Sequence, residues 1–400
     1  MARNSGGRLR VAAILFVTNV VITIGMVMIA PLLPIFARRL GASGAWMGAL
    51  FAADMAARTV VMPLCGRASD RLGRKPFLLA GILLFCASSY AFTLTPDRTT
   101  LLIARTFQGV GAGMIIPTIM AYFGEFSAPN REAFAMGTLN ISFFGGLAVG
   151  PYLGGLLASR FSLEAPFYFL AASGLLTGGM ILLLLPGSAP RKAAAPAAGA
   201  PDRPPAVPWR AHLGSRTLQR LCAHRILVSL GISAAWAFVP LYAIGALGLS
   251  TYDAGIAVGA ITFFTALLIS PGGYLADRMD RWRMMLAGTL LLAIALGALS
   301  WSTGFWMLVG VCGLMGLAQA VYMPAAYALI VGEGRRMGMG TSLGLYTTAL
   351  TLGVAAGPLI AGPVVDALGL RAAFVMSGIF GLLAGAAVLG KKSGPAAPPS

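Results

Sequence analysis

Asp54, Arg58 and Arg105 stand inside long apolar runs, where charged groups could either handle a proton or pair with one another. Asp54 is the single acid deep in such a run, and Arg58 follows four residues later. In a helix that spacing puts both side chains on one face. A charged carboxylate is costly away from water unless a cation compensates it. Two readings follow. Asp54 is a proton site whose occupancy alternates with a substrate, or Asp54 and Arg58 form a fixed ion pair that fills the interior of a helix bundle. The third charge, Arg105, lies about six residues into another run, roughly 10 Å deep at 1.5 Å per residue. It must snorkel to a surface or find a partner.

Other chemistries lack their residues. No G-x-x-x-x-G-K-[ST] loop occurs, so direct ATP drive by this chain is not indicated. The two histidines, His212 and His224, are far from any acid cluster, so no metal site, cofactor or Ser–His–Asp grouping is expected. Cys65, Cys86, Cys222 and Cys312 are widely spaced within or at the edges of apolar runs. They read as small packing residues, with neither disulfide nor metal-ligand spacing.

The elements that must hold these groups follow from composition. Of 400 residues, 58% are hydrophobic and 10% charged. A soluble protein carries roughly 25% charged residues, so a soluble enzyme and a disordered chain are both excluded. A membrane-spanning helix needs about 20 mostly apolar residues. Twelve runs qualify: 11–34, 45–65, 77–95, 99–122, 133–157, 165–186, 219–244, 252–272, 284–304, 305–331, 338–362 and 372–390. The ninth and tenth abut, which requires a tight turn near Gly304. Residues 187–218, rich in Pro, Ala and Arg, read as a solvated linker. The expected fold is therefore all-α and integral to the membrane, with domains at 1–186 and 219–400.

The net charge of +17 raises the question of nucleic acid. A nucleic-acid reader clusters its basic residues on a soluble face, whereas here they punctuate apolar runs, so no such partner is expected. With a cytoplasmic N-terminus, 22 of the 29 basic residues fall in cytoplasmic segments. Five are extracytoplasmic (Arg38, Arg39, Arg98, Arg160 and Arg371), and Arg58 and Arg105 are intrahelical. This asymmetry sets orientation. It places the chain in the cytoplasmic membrane with both termini inside. Arg3, Arg8 and Arg10 precede a run from Val11 that reads as an uncleaved first span.

The two halves repeat each other at a constant offset of 207. Gly66 and Asp70 match Gly273 and Asp277; Gly109 and Pro117 match Gly316 and Pro324; Gly146, Gly150 and Pro151 match Gly353, Gly357 and Pro358. Internal repeats of this kind are a signature of transporter folds.

The motifs at these landmarks carry a family resemblance. Gly66-Arg67-Ala68-Ser69-Asp70-Arg71-Leu72-Gly73-Arg74-Lys75 matches the G-x-x-x-D-R-x-G-R-[RK] loop of the major facilitator superfamily. Gly273, Asp277, Arg278 and Arg281 form a second copy that has Asp280 in place of the inner glycine. By the resemblance Gly66, Asp70, Arg71, Gly73 and Arg74, with the second copy, are conformational-switch residues that brace the cytoplasmic side. Arg105-x-x-Gln108-Gly109-x-Gly111-Ala112 resembles a fourth-helix motif whose arginine the family links to proton transfer; the repeat puts Cys312 in its place. Gly146, Gly150, Pro151, Gly154 and Gly155 match the G-x-x-x-G-P-x-x-G-G motif of the antiporter branch, and Gly353, Gly357, Pro358 and Gly362 keep most of it. Glycine every fourth residue leaves a flat face for close helix contact, and proline removes a backbone donor. The end of the first run, Gly25 to Pro34, resembles the twelve-helix drug:proton antiporters. Several of those carry an acid in this helix, where this chain offers Asn19, Thr18 and Thr23.

The resemblance implies two pseudo-symmetric six-helix bundles around a central cavity. Candidate liners are Asn19, Thr23, Gln108, Met114, Asn140, Phe143, Phe144, Trp236, Gln319 and Tyr322. A lining with few charges suits small hydrophobic or amphipathic substrates. The expected function is proton-coupled export by alternating access, by a monomer in the lipid bilayer that needs no cofactor beyond the proton gradient. The alternatives are a proton-linked importer of a small nutrient, which the antiporter motif opposes, and a non-transporting sensor or scaffold, which lacks a recognisable soluble domain.

Overall fold

The computed structural model describes residues 5–126, 132–186 and 214–389. Among the described residues all regular structure is helical. The α-helices are α1 (Ser5–Ile29), α2 (Leu33–Arg39), α3 (Gly44–Leu72), α4 (Arg74–Phe92), α5 (Arg98–Phe126), α6 (Glu132–Arg160), α7 (Ala165–Leu184), α8 (Arg216–Gly245), α9 (Thr251–Arg278), α10 (Arg281–Ala298), α11 (Phe305–Met337), α12 (Met339–Leu368) and α13 (Leu370–Leu389). All except α2 are long and apolar enough to cross a membrane, which gives the twelve spans expected.

Two differences from the expected spans have local causes. The first run breaks at Ala30-Pro31-Leu32 and resumes as the short α2. Pro31 has no N–H to donate and its ring crowds the preceding turn, so α1 cannot continue through it. The turn between the ninth and tenth spans is a single 3-10 turn, Leu299–Trp301, with Gly304 opening α11.

The helix joints explain where the two repeats diverge. Helix α3 runs on to Leu72, so most of the expected loop 66–75 is helical. Gly73 alone separates α3 from α4, at φ +96°. That conformation is open to glycine and strained for other residues. The corresponding residue in the second half, Asp280, has φ −63° and caps α10. Its carboxylate accepts from the Trp282 and Arg283 N–H groups at 3.0 Å each. The inner glycine is lost there because a side-chain cap replaces a left-handed joint. Asp97 caps α5 in the same way, accepting from Thr99 and Thr100 N–H at 2.7 and 2.9 Å. Its Thr100 backbone hydrogen bond holds the exposed Asp97 carboxyl below the usual range.

Helix packing relies on small residues. Helix α6 lies on α1. A Cβ at Gly146 would come within 2.7 Å of Thr23, one at Gly150 within 2.9 Å of the Ile24 carbonyl, and one at Gly154 would run into Met28. In the second half α12 repeats this against α8, with Gly353 over Ile226 and Ser229 and Gly357 over Leu230 and Ser233. Packing has thus kept the sequence repeat. Helix α5 is held between α3 and α4, and α10 between α11 and α13.

By its contacts the chain divides into two compact units, Met1–Pro196 with Trp236–Thr262, and Ala197–Ala235 with Phe263–Ser400. The segment Trp236–Thr262 joins the first unit through the antiporter-type motif. Gly155 faces the Thr251 carbonyl, Gly255 faces the Pro151 carbonyl, the Tyr152 ring meets that of Tyr252 at 5.5 Å in a tilted contact, and the Thr262 hydroxyl donates to the Leu147 carbonyl at 3.0 Å. Residues 187–213 of the expected linker lie outside the described residues, and α8 begins within the rest of it.

Candidate functional site

The three intrahelical charges come together where α5 lies against α3. Gly109 and Gly113 make this approach possible. A Cβ on Gly109 would collide with the Asp54 backbone, and one on Gly113 would lie 3.1 Å from Val61 and 3.2 Å from the Arg58 carbonyl. Arg105 stands one helical turn before Gly109, on the same face, and so reaches Asp54. Its Nη2 is 3.5 Å from Asp54 Oδ2. The same oxygen accepts a hydrogen bond from Arg58 Nη2 at 3.0 Å. Asp54 is 3% exposed and Arg105 7%. The Arg105 position is therefore settled by partnership, not by snorkelling.

The second oxygen, Asp54 Oδ1, is buried without a hydrogen-bond partner, as are the Nε atoms of Arg58 and Arg105. With Asp54 ionised, the cluster carries one excess positive charge. Buried charges of this kind are tolerated when paired, and breaking the pair is strongly destabilising.

A polar thread leads from this cluster to α4. Arg105 Nη1 donates to Gln108 Oε1. Gln108 Nε2 donates to Ser89 Oγ at 2.9 Å, and Ser89 donates to the Phe85 carbonyl at 2.6 Å. Close α4–α5 contact at Gly81 and Gly111 brings Ser89 within reach; a Cβ on Gly111 would sit 2.9 Å from the Gly81 carbonyl. Gln108, expected as a cavity liner, is fully enclosed in this thread. At the offset of 207 the second half has Ile261, Thr265, Cys312 and Met315 where the first has Asp54, Arg58, Arg105 and Gln108. The charged cluster therefore belongs to one half only.

The residues of the switch motif have varied surroundings. Gly66 and Gly273 have open space where a Cβ would go, so neither glycine is required by helix contact here. Arg74 is buried. Lys75 Nζ donates to the Leu182 and Leu185 carbonyls at 2.8 and 2.6 Å, closing the end of α7. In the second copy Arg281 pairs with Asp277 at 3.9 Å, both exposed, and Arg278 lies 4.1 Å over the Tyr274 ring. The side chains of Asp70 and Arg71 lie outside the described residues, as do those of Asn140 and Phe144.

Among the other expected cavity liners, Asn19 donates to Ser142 at 2.6 Å, joining α1 to α6. Thr23 is buried under Gly146, so it belongs to the α1–α6 joint and not to a cavity wall. Met114 packs against Gly81. Phe143 is exposed, Trp236 is half-buried, and Tyr322 is enclosed. Gln319 carries a buried Nε2 without a partner.

Sequence reasoning misses one charge. The charge count groups Arg225 with the cytoplasmic basic residues although it lies six residues into the run 219–244; it is nine residues after the start of α8 and 5% exposed. Its depth in that run, equal to that of Arg105 in the run 99–122, is the available signal. Its neighbours are aromatic: Cζ is 5.2 Å from the Tyr346 ring centroid and 5.9 Å from that of Tyr327, and the Tyr322 side chain lies beside it. Beside it His224 is fully buried and contacts Thr289 Oγ1 at 2.8 Å. Thr289 gives its own hydrogen to the Met285 carbonyl, so His224 Nε2 is the donor.

Comparison with known proteins agrees with this architecture. The chain is 26% identical to the quinolone resistance protein NorA of Staphylococcus aureus, over 88% of this chain and 89% of that protein. It is 24% identical to an uncharacterized MFS-type transporter of Methanocaldococcus jannaschii, over 93% and 95%. Among solved structures it resembles a bacterial homologue of the human lysosomal transporter Spinster, with a TM-score of 0.83 at 16% identity, covering 96% of this chain and 97% of that one. The nucleoside transporter NupG gives 0.79 at 13% identity, covering 96% and 99%. The Major Facilitator Superfamily model matches residues 15–261 and 221–400. With twelve spans, a duplicated motif set and a family match along the whole helical region, the chain belongs to the Major Facilitator Superfamily and is a membrane transporter, not an enzyme.

Proposed function

We propose that this transporter is a proton-coupled exporter of small hydrophobic or amphipathic molecules. It works by alternating access, as a monomer in the cytoplasmic membrane with both termini inside, and its bundles are 1–186 and 219–400. The observation that carries this reading is Asp54, a buried carboxylate with one oxygen shared by two arginines and the other unpartnered. A group so poised can take up a proton when a neighbouring cation moves away, which ties its charge to helix position. That reading favours the proton-site alternative over the fixed ion pair. The glycine motif of α6 and the likeness to a quinolone resistance protein support export over import. Direction comes from binding that differs between the two conformations, combined with proton movement.

The test is flux in inside-out vesicles. An acid interior should drive accumulation of an amphipathic fluorescent dye or a quinolone, and collapsing the gradient should abolish it. Equal flux with and without the gradient would remove the coupling, and accumulation of a labelled nutrient in the opposite sense would reverse the direction.

A further inference from the structure

Arg225 is a second buried cation of the membrane interior, and unlike Arg105 it has no acid. Among the described residues no carboxylate pairs with it. The buried acid of its unit, Glu333, is engaged by Ser215 at 2.6 Å and Arg336 at 3.6 Å. Cation–π contact with two tyrosines lowers the cost of burial, but it leaves the charge uncompensated. Its Nε and the Tyr346 hydroxyl are both buried without partners. Tyr346 is 2% exposed and Tyr322 1%, whereas Tyr327 is 42% exposed, so the cluster reaches the surface at Tyr327.

The fold does not require this cage. At the offset of 207 the first half has Thr18, Ile115, Met120 and Leu139 in place of Arg225, Tyr322, Tyr327 and Tyr346. Thr18 simply returns its hydroxyl to the Ile14 carbonyl at 2.7 Å. One half has a self-satisfied threonine and three apolar residues where the other holds a cation and three phenols, with a donor left unused. A polar cluster that the architecture can do without, and that is left unsatisfied, points to a ligand.

We propose that Arg225, with Tyr322, Tyr327 and Tyr346, binds the carboxylate of an aromatic monoanion. The guanidinium fork matches a carboxylate and provides one unit of charge. A monoanion neutralises it; a dianionic phosphate would leave net charge in a low-dielectric site. The Tyr346 hydroxyl supplies a further donor, and the tyrosine rings offer faces for an aromatic body. The proposal deepens the export reading by naming a substrate class, and it is tested by binding alone, so the two can fail separately.

The probe is 1-naphthoate, compared with the neutral isostere 1-naphthamide, on the purified full chain in detergent. Equilibrium dialysis and thermal unfolding are the readouts. Naphthoate should bind saturably and raise the melting temperature, and naphthamide should bind at least tenfold more weakly. Arg225→Gln should weaken naphthoate at least tenfold. Tyr346→Phe, which removes one oxygen and keeps the ring, should weaken it about threefold or more, as expected for one lost hydrogen bond. Arg39→Gln, an exposed arginine outside the cage, should bind as the unsubstituted chain does. No binding of naphthoate, equal binding of acid and amide, or full affinity in a folded Arg225→Gln would overturn the proposal. Should Arg225→Gln not fold, the acid–amide comparison and Tyr346→Phe decide. Dye flux driven by a proton gradient, measured separately, reports on export.

Discussion

Arg105 and Asp54 meet across two helices, with Arg105 Nη2 3.5 Å from Asp54 Oδ2. Their contact depends on a glycine one turn along α5, because Gly109 has no side chain to hold the two backbones apart. Charge and packing are therefore coupled at this point, and any movement of α5 along α3 changes the electrostatics of Asp54.

Replacing Asp54→Asn keeps the shape of the side chain and removes its charge. Buried Arg105 and half-buried Arg58 are then left without a counter-charge, at a cost of about 3–5 kcal/mol. A lowered melting temperature is expected together with loss of gradient-driven dye accumulation, while gradient-free exchange persists. A folded Asp54→Asn that retains full coupled transport would make the cluster a fixed ion pair.

Gly109→Ala tests the packing side of the same coupling. The added methyl meets the Asp54 backbone, and overpacking of this kind costs about 1–3 kcal/mol. Coupled flux should fall with stability, although every charged group is retained. A Gly109→Ala protein with unchanged flux and melting temperature would show that α5 has room the structure does not display.

Two glycines of α6 should respond in opposite ways. Gly154 faces Met28 of α1, whereas a methyl added at Gly145 would meet nothing within 4 Å. Gly154→Ala should lower the melting temperature by an amount corresponding to about 1–3 kcal/mol, and Gly145→Ala should leave it unchanged or raise it. Equal effects would refute the assignment of the motif to the α1–α6 joint.

The two helix joints that follow α3 and α9 should also differ. Asp280→Ala removes the cap of α10 and should cost about 0.5–2 kcal/mol, with Asp280→Asn nearly neutral. Gly73→Ala places a Cβ at φ +96° and should cost about 1–2 kcal/mol. Thermal unfolding of the three variants checks both. An Asp280→Gly that is as stable as the original would mean that the second joint can adopt the geometry of the first.

Much of the fold is legible in the sequence. Span length is fixed by membrane thickness, so apolar runs locate the twelve crossing helices, and Pro31 marks the one break that run length conceals. The constant offset of 207 exposes the duplication, and four-residue glycine spacing identifies α6 and α12 as tightly packed. Asp54 and Arg58 are paired by helical periodicity alone.

What the sequence does not supply is contact between helices. A one-dimensional pattern gives no helix rotation, so it cannot show that Arg105 turns to Asp54, that Gln108 turns to Ser89, or that Thr23 lies under Gly146. Nor can it show that Arg225, grouped by position with the cytoplasmic arginines, is enclosed by tyrosines from α11 and α12. Composition, periodicity and repeat are properties of the chain and determine which helices form; partnership among buried charges depends on how those helices pack, and only the tertiary structure decides it.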